Sequence, residues 1–385
     1  MAYLNICEPE VLPLKAINYV GWLGHANVGD EALFLVSKKL FGENKIVPID
    51  VDNVSPCSGI TLFGGGTLLP FWTFGLNLKN RYNYVFGVGV RNPRYWGDFD
   101  HIFIEHIKRF RFRLLGVRGP LSQNILKKWG IASEVIGDPA LILEPACCKK
   151  QKERIAINVT TANNEMWGNS QHVIEETIKL CQTLKKQYEL TLIPFYHEDV
   201  PSVIQISREV GVDVFENWSN PQQTLDFMSS CKVVIGQKLH SIVFSAAAFT
   251  PFISLEYRPK CLDFSQTVGY EKYNLKTDQM TAQNVLTKLH YLLEDYDHMR
   301  ELLIENVGIY RKKIKSFAKR IIEDIEALPE NKWLPFGVSD RIRQKILVHP
   351  ENCLYEYAQK HSFFHVVNQL SLTKQMMHWN TKLFK

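Results

Sequence analysis

The sequence predicts an α/β protein with two parallel-sheet domains that face each other across a cleft. Short apolar segments rich in Val, Ile and Phe alternate with amphipathic segments, which is typical of parallel strands connected by helices. A polar segment near residues 144–154 interrupts this alternation, which then restarts. The length of 385 residues fits two domains of roughly 150 residues with a short addition. We place the domains at 1–148 and 149–330, followed by a basic helical extension at 331–385.

The first half begins with a strand predicted by "AINYVGWLG" and a helix predicted by "DEALFLVSKKLF", with Asp30 as the candidate N-cap. Further strands are predicted by "KIVPID", "GITLFGGGTLL" and "YVFGVGV". "GPLSQNILKKWG" predicts a helix with Pro120 in its first turn and Gly130 as its stop. "EVIGDPALIL" predicts one more strand that runs into a loop.

The second half repeats the pattern. Strands are predicted by "RIAINVT", "LTLIPFY", "VDVFEN", "KVVIG" and "PFISLEY", and helices by "SQHVIEETIKLCQTLKKQ", "PQQTLDFMSSC" and "SIVFSAAAF". Residues 281–327 predict long helices. The two similar halves resemble the two Rossmann-like domains of glycosyltransferase-B-type enzymes, in which the cleft lies at the carboxyl ends of the strands.

The net charge of +5 belongs to the extension, where eight Lys and Arg stand against three acids, while the first 330 residues are balanced. We expect no nucleic-acid partner. The extension is either a solvated, partly helical tail or a peripheral contact with an anionic membrane surface. No apolar run reaches the roughly 18 residues that span a bilayer, and the first residues do not match a secretory signal. These observations predict a cytoplasmic protein, with the inner face of the membrane as the alternative location.

The eight cysteines form no Cys-x-x-Cys pair, and none has the spacing of zinc ligands. They are typical of buried thiols in a reducing compartment. We therefore expect neither a metal site nor a bound cofactor.

Two glycine-containing turns follow predicted strands in the first half. "LGHANVGDEALF" places Asn27, Gly29 and Asp30 where backbone N–H groups could hold an anion or a sugar hydroxyl, although an ordinary capped turn would also explain these residues. "LFGGGTLLP" has three successive glycines before Thr67. Three glycines favour a turn that something approaches closely, in preference to a flexible surface loop.

Polar groups also follow other strands of both halves. Arg118 in "GVRGP" is placed to clamp a phosphate or a carboxylate, or else to pair with a surface carboxylate. Asp138 in "IGDPALI" ends a strand, where Asp-Pro also favours a simple turn. In "GQKLHSIVFSAAAFTPFISLEYRPK", Lys238 and His240 lie in a predicted strand–helix turn, and Lys260 follows the next strand. That edge of a parallel sheet is the usual ligand position, although a lone His is often structural.

The motifs "NVGDEALF", "FGGGTLL", "GVRGP", "IGDPAL" and "GQKLHSIVFSAAAFTPFISLEYRPK" together resemble the polysaccharide pyruvyl transferase family in order and spacing, over roughly residues 16–325. The resemblance implies a glycosyltransferase-B-like fold and the transfer of the enolpyruvyl carbon of phosphoenolpyruvate to two hydroxyls of one sugar. It also implies that phosphoenolpyruvate binds on the second domain and a glycan or lipid-linked saccharide acceptor on the first. The family turn Gly-x-Arg-Leu-His is here Gly-Gln-Lys-Leu-His, with Lys238 in place of Arg.

The resemblance and the turn positions together predict the site residues. We expect catalysis by His240 and Asp30, donor binding by Lys238, Arg118, Lys260 and Ser241, and an acceptor side or cleft lining that comprises Asn27, Gly29, Gly65, Gly66, Thr67 and Asp138. The alternative function is a glycosyltransferase that uses a nucleotide sugar, and a third is an inactive sugar-binding protein.

Overall fold

A computed structural model describes residues 16–42, 46–48, 59–70, 81–97, 101–146 and 153–328. Within these ranges the chain forms two parallel sheets of six strands each. The strands of the first sheet are β1 (Ile17–Val20), β2 (Ile46–Pro48), β3 (Gly59–Phe63), β4 (Arg81–Val88), β5 (Phe112–Val117) and β6 (Glu134–Val135). The strands of the second sheet are β7 (Arg154–Asn158), β8 (Glu189–Leu192), β9 (Asp213–Val214), β10 (Val233–Gly236), β11 (Phe252–Glu256) and β12 (Asn274–Lys276).

The strand orders are β2-β1-β3-β4-β5-β6 and β12-β11-β10-β7-β8-β9, and each neighbouring pair is parallel. The central strands are buried along their whole length, as in β3 and β10. This burial explains why their sequences are continuously apolar, because helices cover both faces of a parallel sheet. The two parallel α/β domains predicted from the sequence are therefore confirmed.

The described helices are α1 (Val28–Phe41), α2 (Pro93–Trp96), α3 (His101–Arg109), α4 (Pro120–Lys128), α5 (Ser170–Leu184), α6 (Val200–Val210), α7 (Pro221–Ser229), α8 (Leu239–Ala247), α9 (Pro259–Thr267), α10 (Ala282–Glu294) and α11 (Tyr296–Glu326). The two last helices confirm the helical region predicted at 281–327. None of the described helices is long and apolar enough to cross a membrane.

The 31-residue helix α11 returns from the second domain to the first. Its Asp324 accepts hydrogen bonds from Arg113 and from the Tyr84 hydroxyl of the first sheet. Its Arg311 donates to the carbonyl oxygens of Leu141 and Leu143 over 2.7 and 2.8 Å. The long helix α11 thus joins the two halves of the chain.

Local boundaries differ from the sequence prediction at three places. The N-cap of α1 is Asn27, not Asp30, because the extended backbone of Asn27 lets its side chain accept the N–H of Gly29. "EVIGDPALIL" forms only the short strand β6 and then a 3-10 turn, Pro139–Ile142, that Asp138 caps. "VDVFEN" pairs only through the two residues of β9. The sequence reasoning did not identify helices α2, α3, α6 and α9 or strand β12.

Two predictions lie outside the described residues. The basic extension at 331–385 is one, and the center of the polar segment near 144–154, which includes Cys147 and Cys148, is the other. The three described cysteines, Cys181, Cys231 and Cys261, are free and buried.

Candidate active site in the cleft

The amino ends of four helices meet in the cleft, each placed directly after a parallel strand. Helices α1 and α4 belong to the first domain, and α8 and α9 to the second. A methyl group on Gly29 of α1 would lie only 1.9 Å from Nδ1 of His240 on α8. Asp263 of α9 accepts the backbone N–H groups of Leu121 and Ser122 at the start of α4. Each domain therefore contributes helix ends and side chains to one site, where helix dipoles favour an anion.

The turn of the "QKLH" segment has the predicted strand–turn–helix geometry. Lys238 is the N-cap of α8, and its N–H donates to Oδ1 of Asn158 over 2.8 Å. His240 lies in the first turn of that helix. The Ser241 hydroxyl donates to the carbonyl of Lys238 over 2.6 Å. Ser241, which we predicted to bind the donor substrate, is fully buried, and its hydroxyl closes this turn.

Lys238 is held by groups that follow strand β8. Its Nζ lies 3.5 Å from Oδ1 of the fully buried Asp199 and 4.8 Å from the centroid of the Tyr196 ring. Oδ2 of Asp199 accepts the N–H of Phe195. Sequence reasoning missed Asp199, although it stands just beyond the carboxyl end of a predicted parallel strand and could have been found by the same rule as the other site residues.

Lys260 lies in the first turn of α9, the helix that follows strand β11, so it stands after this strand as the sequence predicted. Its Nζ is 5.0 Å from the centroid of the buried Tyr257 ring. Burial, and next the positive charge of Arg258, lower the pKa of Lys260 to about 7. Lys260 therefore gains a proton readily when an anion enters.

Arg118 is fully buried and pairs with an interior carboxylate, so the surface ion pair considered from the sequence is excluded. Its Nε donates to Oδ2 of Asp138 over 2.9 Å, and its Nη2 donates to the carbonyl of Gly66 over 2.6 Å. Its Nη1 has no hydrogen-bond partner among the described residues. Burial raises the pKa of Asp138, against the opposing effect of Arg118. A buried guanidinium whose Nη1 group has no protein partner among the described residues can bind an anionic ligand.

His240 is buried at the junction of the two domains. Its Nε2 lies 3.9 Å from Oδ2 of Asp138 and has no hydrogen-bond partner within the described part of the chain. Burial, followed by the charges of Arg118, Lys260 and Lys238, holds the pKa of His240 well below its usual range. The imidazole is therefore neutral in the ligand-free protein, with burial as the main cause.

Asp30 lies in the first turn of α1 and is only 6% exposed. Burial raises the pKa of Asp30 to about 7, while Lys260 and Arg118 oppose this rise. Because Asn27 caps the helix, the carboxyl group of Asp30 is not needed for capping. It can therefore hold or release a proton near neutral pH.

Each of the three glycines in the triple-glycine turn has a structural cause. Methyl groups on Gly64 and Gly65 would lie 2.0 Å and 3.1 Å from atoms of the buried Tyr19 side chain. Gly66 adopts the left-handed region with φ of +73°. The buried Thr67 Oγ1 has no partner among the described residues.

A further glycine, Gly89, leaves space beside two of the unpaired groups. A methyl group there would be 2.9 Å from Arg118 Nη1 and 3.2 Å from Thr67 Oγ1. The unpaired donors of Arg118 and Thr67 therefore lie close together beside a residue without a side chain. Within the described ranges, no three His, Cys, Asp or Glu side chains could hold a metal ion.

These domains, with their shared cleft and returning helix, define a protein of the glycosyltransferase-B fold class. The chain belongs to the polysaccharide pyruvyl transferase family, whose model matches residues 27–259, more than half of its length. It is therefore a transferase of polysaccharide biosynthesis. A comparison with curated proteins gave no match.

Solved structures that are similar to this chain share its fold at low identity. One is a structure of MnaA from S. aureus with UDP, with a TM-score of 0.53 and 14% identity, covering 84% of this chain and 100% of the other. Another is a putative UDP-N-acetylglucosamine 2-epimerase from Listeria monocytogenes, with a TM-score of 0.52, 10% identity and the same coverage. A third is UDP-GlcNAc 2-epimerase from Neisseria meningitidis, with a TM-score of 0.50 and 13% identity, covering 82% and 100%.

Proposed function

We propose that this protein transfers the enolpyruvyl carbon of phosphoenolpyruvate to two hydroxyls of one sugar, forming a pyruvate ketal and releasing phosphate. One observation carries the proposal: the buried Nη1 of Arg118 and Nε2 of His240 have no protein partner among the described residues. Unpaired buried polar atoms are costly unless a ligand satisfies them. Phosphoenolpyruvate, with a phosphate and a carboxylate, suits such a site.

Three cations supply the positive charge that this donor needs. We call Arg118, Lys238 and Lys260 the cation cluster. Arg118 offers its unpaired Nη1 group, and Lys238 and Lys260 offer ammonium groups near Tyr257, at 5.8 and 5.0 Å from the ring centroid. Lys238 retains the charge of the family Arg but not its planar fork. At this position the donor is therefore bound by a single ammonium group, which Asp199 orients, in place of a planar fork.

The reaction needs two protons to move and no change of oxidation state. Protonation of the methylene carbon gives oxocarbenium character at the adjacent carbon, to which one sugar hydroxyl adds. The C–O bond to phosphate then breaks, and the second hydroxyl adds to the same carbon. Of the two hydroxyl protons, one balances the new methyl group and the other leaves with phosphate. General acid–base catalysis and stabilisation of the anions are therefore sufficient.

His240 is the residue that we assign to proton transfer. It is neutral before the donor binds, since burial and the cation cluster lower its pKa. The phosphate dianion offsets these cations and raises the proton affinity of His240, which arms it as an acid. Asp30 is the second acid, because its pKa is raised to about 7 by burial.

Phosphate release and product mass test this function together. The purified full-length chain is incubated with phosphoenolpyruvate and saccharide intermediates, and each glycan is examined by mass spectrometry. The expected product is heavier by one pyruvate less one water, with one phosphate released per ketal. Transfer from a nucleotide sugar without any reaction of phosphoenolpyruvate would overturn the proposal in favour of a glycosyltransferase.

A further inference from the structure

Helix α4 of the first domain is capped by a residue of the second domain. The N-cap of α4 is Gly119, which has no side chain to accept the N–H groups of the first turn. Oδ1 of Asp263, on α9, instead accepts the N–H of Leu121 over 2.8 Å and that of Ser122 over 3.2 Å. The dipole of α4 also favours a carboxylate at this end. The start of α4 is therefore fixed by the opposite domain.

The glycine at the N-cap makes this contact possible. A methyl group on Gly119 would lie 2.4 Å from both the carbonyl oxygen and Oδ1 of Asp263. A side chain there would therefore push α9 away from α4. Asp263 and Ser122 are both buried, so the hydrogen bonds between them are shielded from water. Hydrogen bonds to a charged acceptor are stronger than neutral ones, and here they hold the two helices in one arrangement.

The capped segment begins next to Arg118, the residue of the cation cluster that the first domain supplies. The N–H of Arg118 donates to the carbonyl of Val88 over 3.1 Å. The Thr267 hydroxyl, one turn after Asp263 on α9, shares its hydrogen between two carbonyl oxygens. These belong to Asp263, at 2.8 Å, and to Arg118, at 3.2 Å. The backbone of Arg118 is thus held between β4 of its own domain and α9 of the other.

Ser122 connects Asp263 to the segment beside the Arg118 guanidinium. Its hydroxyl donates to Oδ2 of Asp263 over 2.6 Å and accepts the N–H of Val90 over 3.0 Å. Val90 follows Gly89, where a methyl group would lie 2.9 Å from Nη1 of Arg118. One carboxylate therefore fixes the start of α4 and the segment that adjoins the unpaired Nη1 group.

The helix that carries Asp263 also carries a second member of the cation cluster. Lys260 lies in the first turn of α9, and Asp263 lies in the next turn. A helix is rigid over so short a distance. Asp263 therefore connects Arg118 of the first domain to Lys260 of the second. An anion bound by both cations needs them at a constant separation, because a displacement of about 1 Å can weaken such binding greatly.

We propose that Asp263 is a positioning residue for the donor: it holds Arg118 at a fixed distance from Lys260, so that both cations bind one phosphoenolpyruvate molecule. The carboxylate faces α4 and would itself repel an anion, so its effect on the donor passes through Arg118. The identity of the donor rests on the proposed function, whereas the contacts between α4 and α9 do not.

The test compares two matched substitutions in the full-length protein. Asp263→Asn retains the shape of the side chain but loses its charge, and its amide nitrogen cannot accept the Ser122 hydroxyl. Phosphoenolpyruvate should then bind about tenfold more weakly in calorimetric titration, since a charged hydrogen bond has about this effect. The control is Asp226→Asn on α7, where the carboxylate accepts the N–H of Ala146 over 2.7 Å. This control should bind the donor like the unaltered protein.

Two further measurements distinguish positioning from a general loss of structure. In a protein that already has Arg118→Gln, Asp263→Asn should change donor affinity by less than about twofold, because the residue through which it acts is gone. In the otherwise unaltered protein, Asp263→Asn should raise the Michaelis constant and leave turnover at saturating donor within about threefold. His240 lies on α8, which this contact does not hold.

A smaller change serves if Asp263→Asn does not fold. Ser122→Ala removes one of the three hydrogen bonds that the carboxylate accepts from α4. It should weaken donor binding by about threefold, the effect of one modest hydrogen bond. The same Arg118→Gln background should abolish this loss as well.

Four results would overturn the role of Asp263. They are donor affinity within about twofold of the unaltered value in every folded variant of Asp263 and Ser122, an equal loss in Asp226→Asn, a full loss that persists with Arg118→Gln, or turnover that falls as much as affinity. Binding of inorganic phosphate without binding of phosphoenolpyruvate by the unaltered protein would instead overturn the proposed function. The same variants titrated with inorganic phosphate would then decide the role of Asp263.

Discussion

Oδ2 of Asp138 accepts a hydrogen bond from Nε of Arg118 over 2.9 Å, and both side chains are fully buried. The same oxygen lies 3.9 Å from Nε2 of His240, which belongs to the other domain. One interior carboxylate thus stands between a guanidinium of the first domain and an imidazole of the second. It neutralises Arg118 while leaving Nη1 for a ligand.

Removing the charge of Asp138 should destabilise the protein. Asp138→Asn can still accept the N–H of Ala140 but leaves the buried Arg118 charge without its counter-charge, which costs about 3–5 kcal/mol. Urea denaturation measures this loss. The control Glu105→Gln breaks an exposed pair with Lys108 and should cost about 0–1 kcal/mol. Equal denaturation midpoints for the two variants would mean that the buried pair stabilises the protein no more than the exposed pair does.

Replacing His240 should slow the chemical step more than it weakens donor binding. His240→Ala should lower turnover by about 100-fold or more and leave phosphoenolpyruvate affinity within a few-fold. His240→Gln should be nearly as slow, because an amide cannot exchange a proton at neutral pH. Single-turnover kinetics and a separate donor titration distinguish the two effects. Near-normal turnover in either variant would shift the acid role to Asp30.

Lys238 should act on donor affinity. Lys238→Ala should raise the Michaelis constant for phosphoenolpyruvate by an amount equivalent to about 1.5–3 kcal/mol, since an anion loses a charged partner. Lys238→Arg should be tolerated. Asp199→Asn, which removes the charge 3.5 Å from Nζ, should change the same constant and have little effect once Lys238 is already Ala. Unaltered donor kinetics in Lys238→Ala would place the donor elsewhere.

Gly29 should be needed for the position of the imidazole. Alanine is favoured over glycine inside a helix by about 1 kcal/mol, yet a methyl group at Gly29 would lie 1.9 Å from His240 Nδ1. Gly29→Ala should therefore lower turnover. The matched control is Gly308→Ala in α11, where nothing lies within 4 Å of the new methyl group. The Gly308→Ala variant should melt at a higher temperature with unchanged turnover. The same melting temperature and turnover in Gly29→Ala would contradict the close packing of Gly29 against His240.

Donor affinity should fall as the pH rises above neutrality. The pKa values of Lys260 and Asp30 are about 7 in the free protein, and a bound anion raises both, so binding takes up protons. Between about pH 7 and 9 the donor phosphate is already ionised, so the fall reports on the protein. Calorimetric titration of phosphoenolpyruvate in buffers of different ionisation enthalpy measures how many protons the protein takes up on binding. Lys260→Met should flatten the profile, and a constant affinity over this range in the unaltered protein would refute the linkage.

Much of the architecture could be predicted because its signals are local. Continuous apolar runs such as those of β3 and β10 specify buried parallel strands, and Lys238 and His240 follow one of these strands directly. The edge formed by the strand ends then predicts where they lie.

Partners distant along the chain could not be predicted in this way. Examples are the pairing of Asp199 with Lys238 in particular, the meeting of Arg91 and Arg258 at Trp96, and the closeness of Gly64 to Tyr19. Arg118 offered two equally reasonable roles until its neighbour proved to be a buried carboxylate. Periodicity and turn residues describe contacts within a few positions of the chain. Desolvation and charge pairing, by contrast, depend on which segments pack together, and these set the protonation of the cleft.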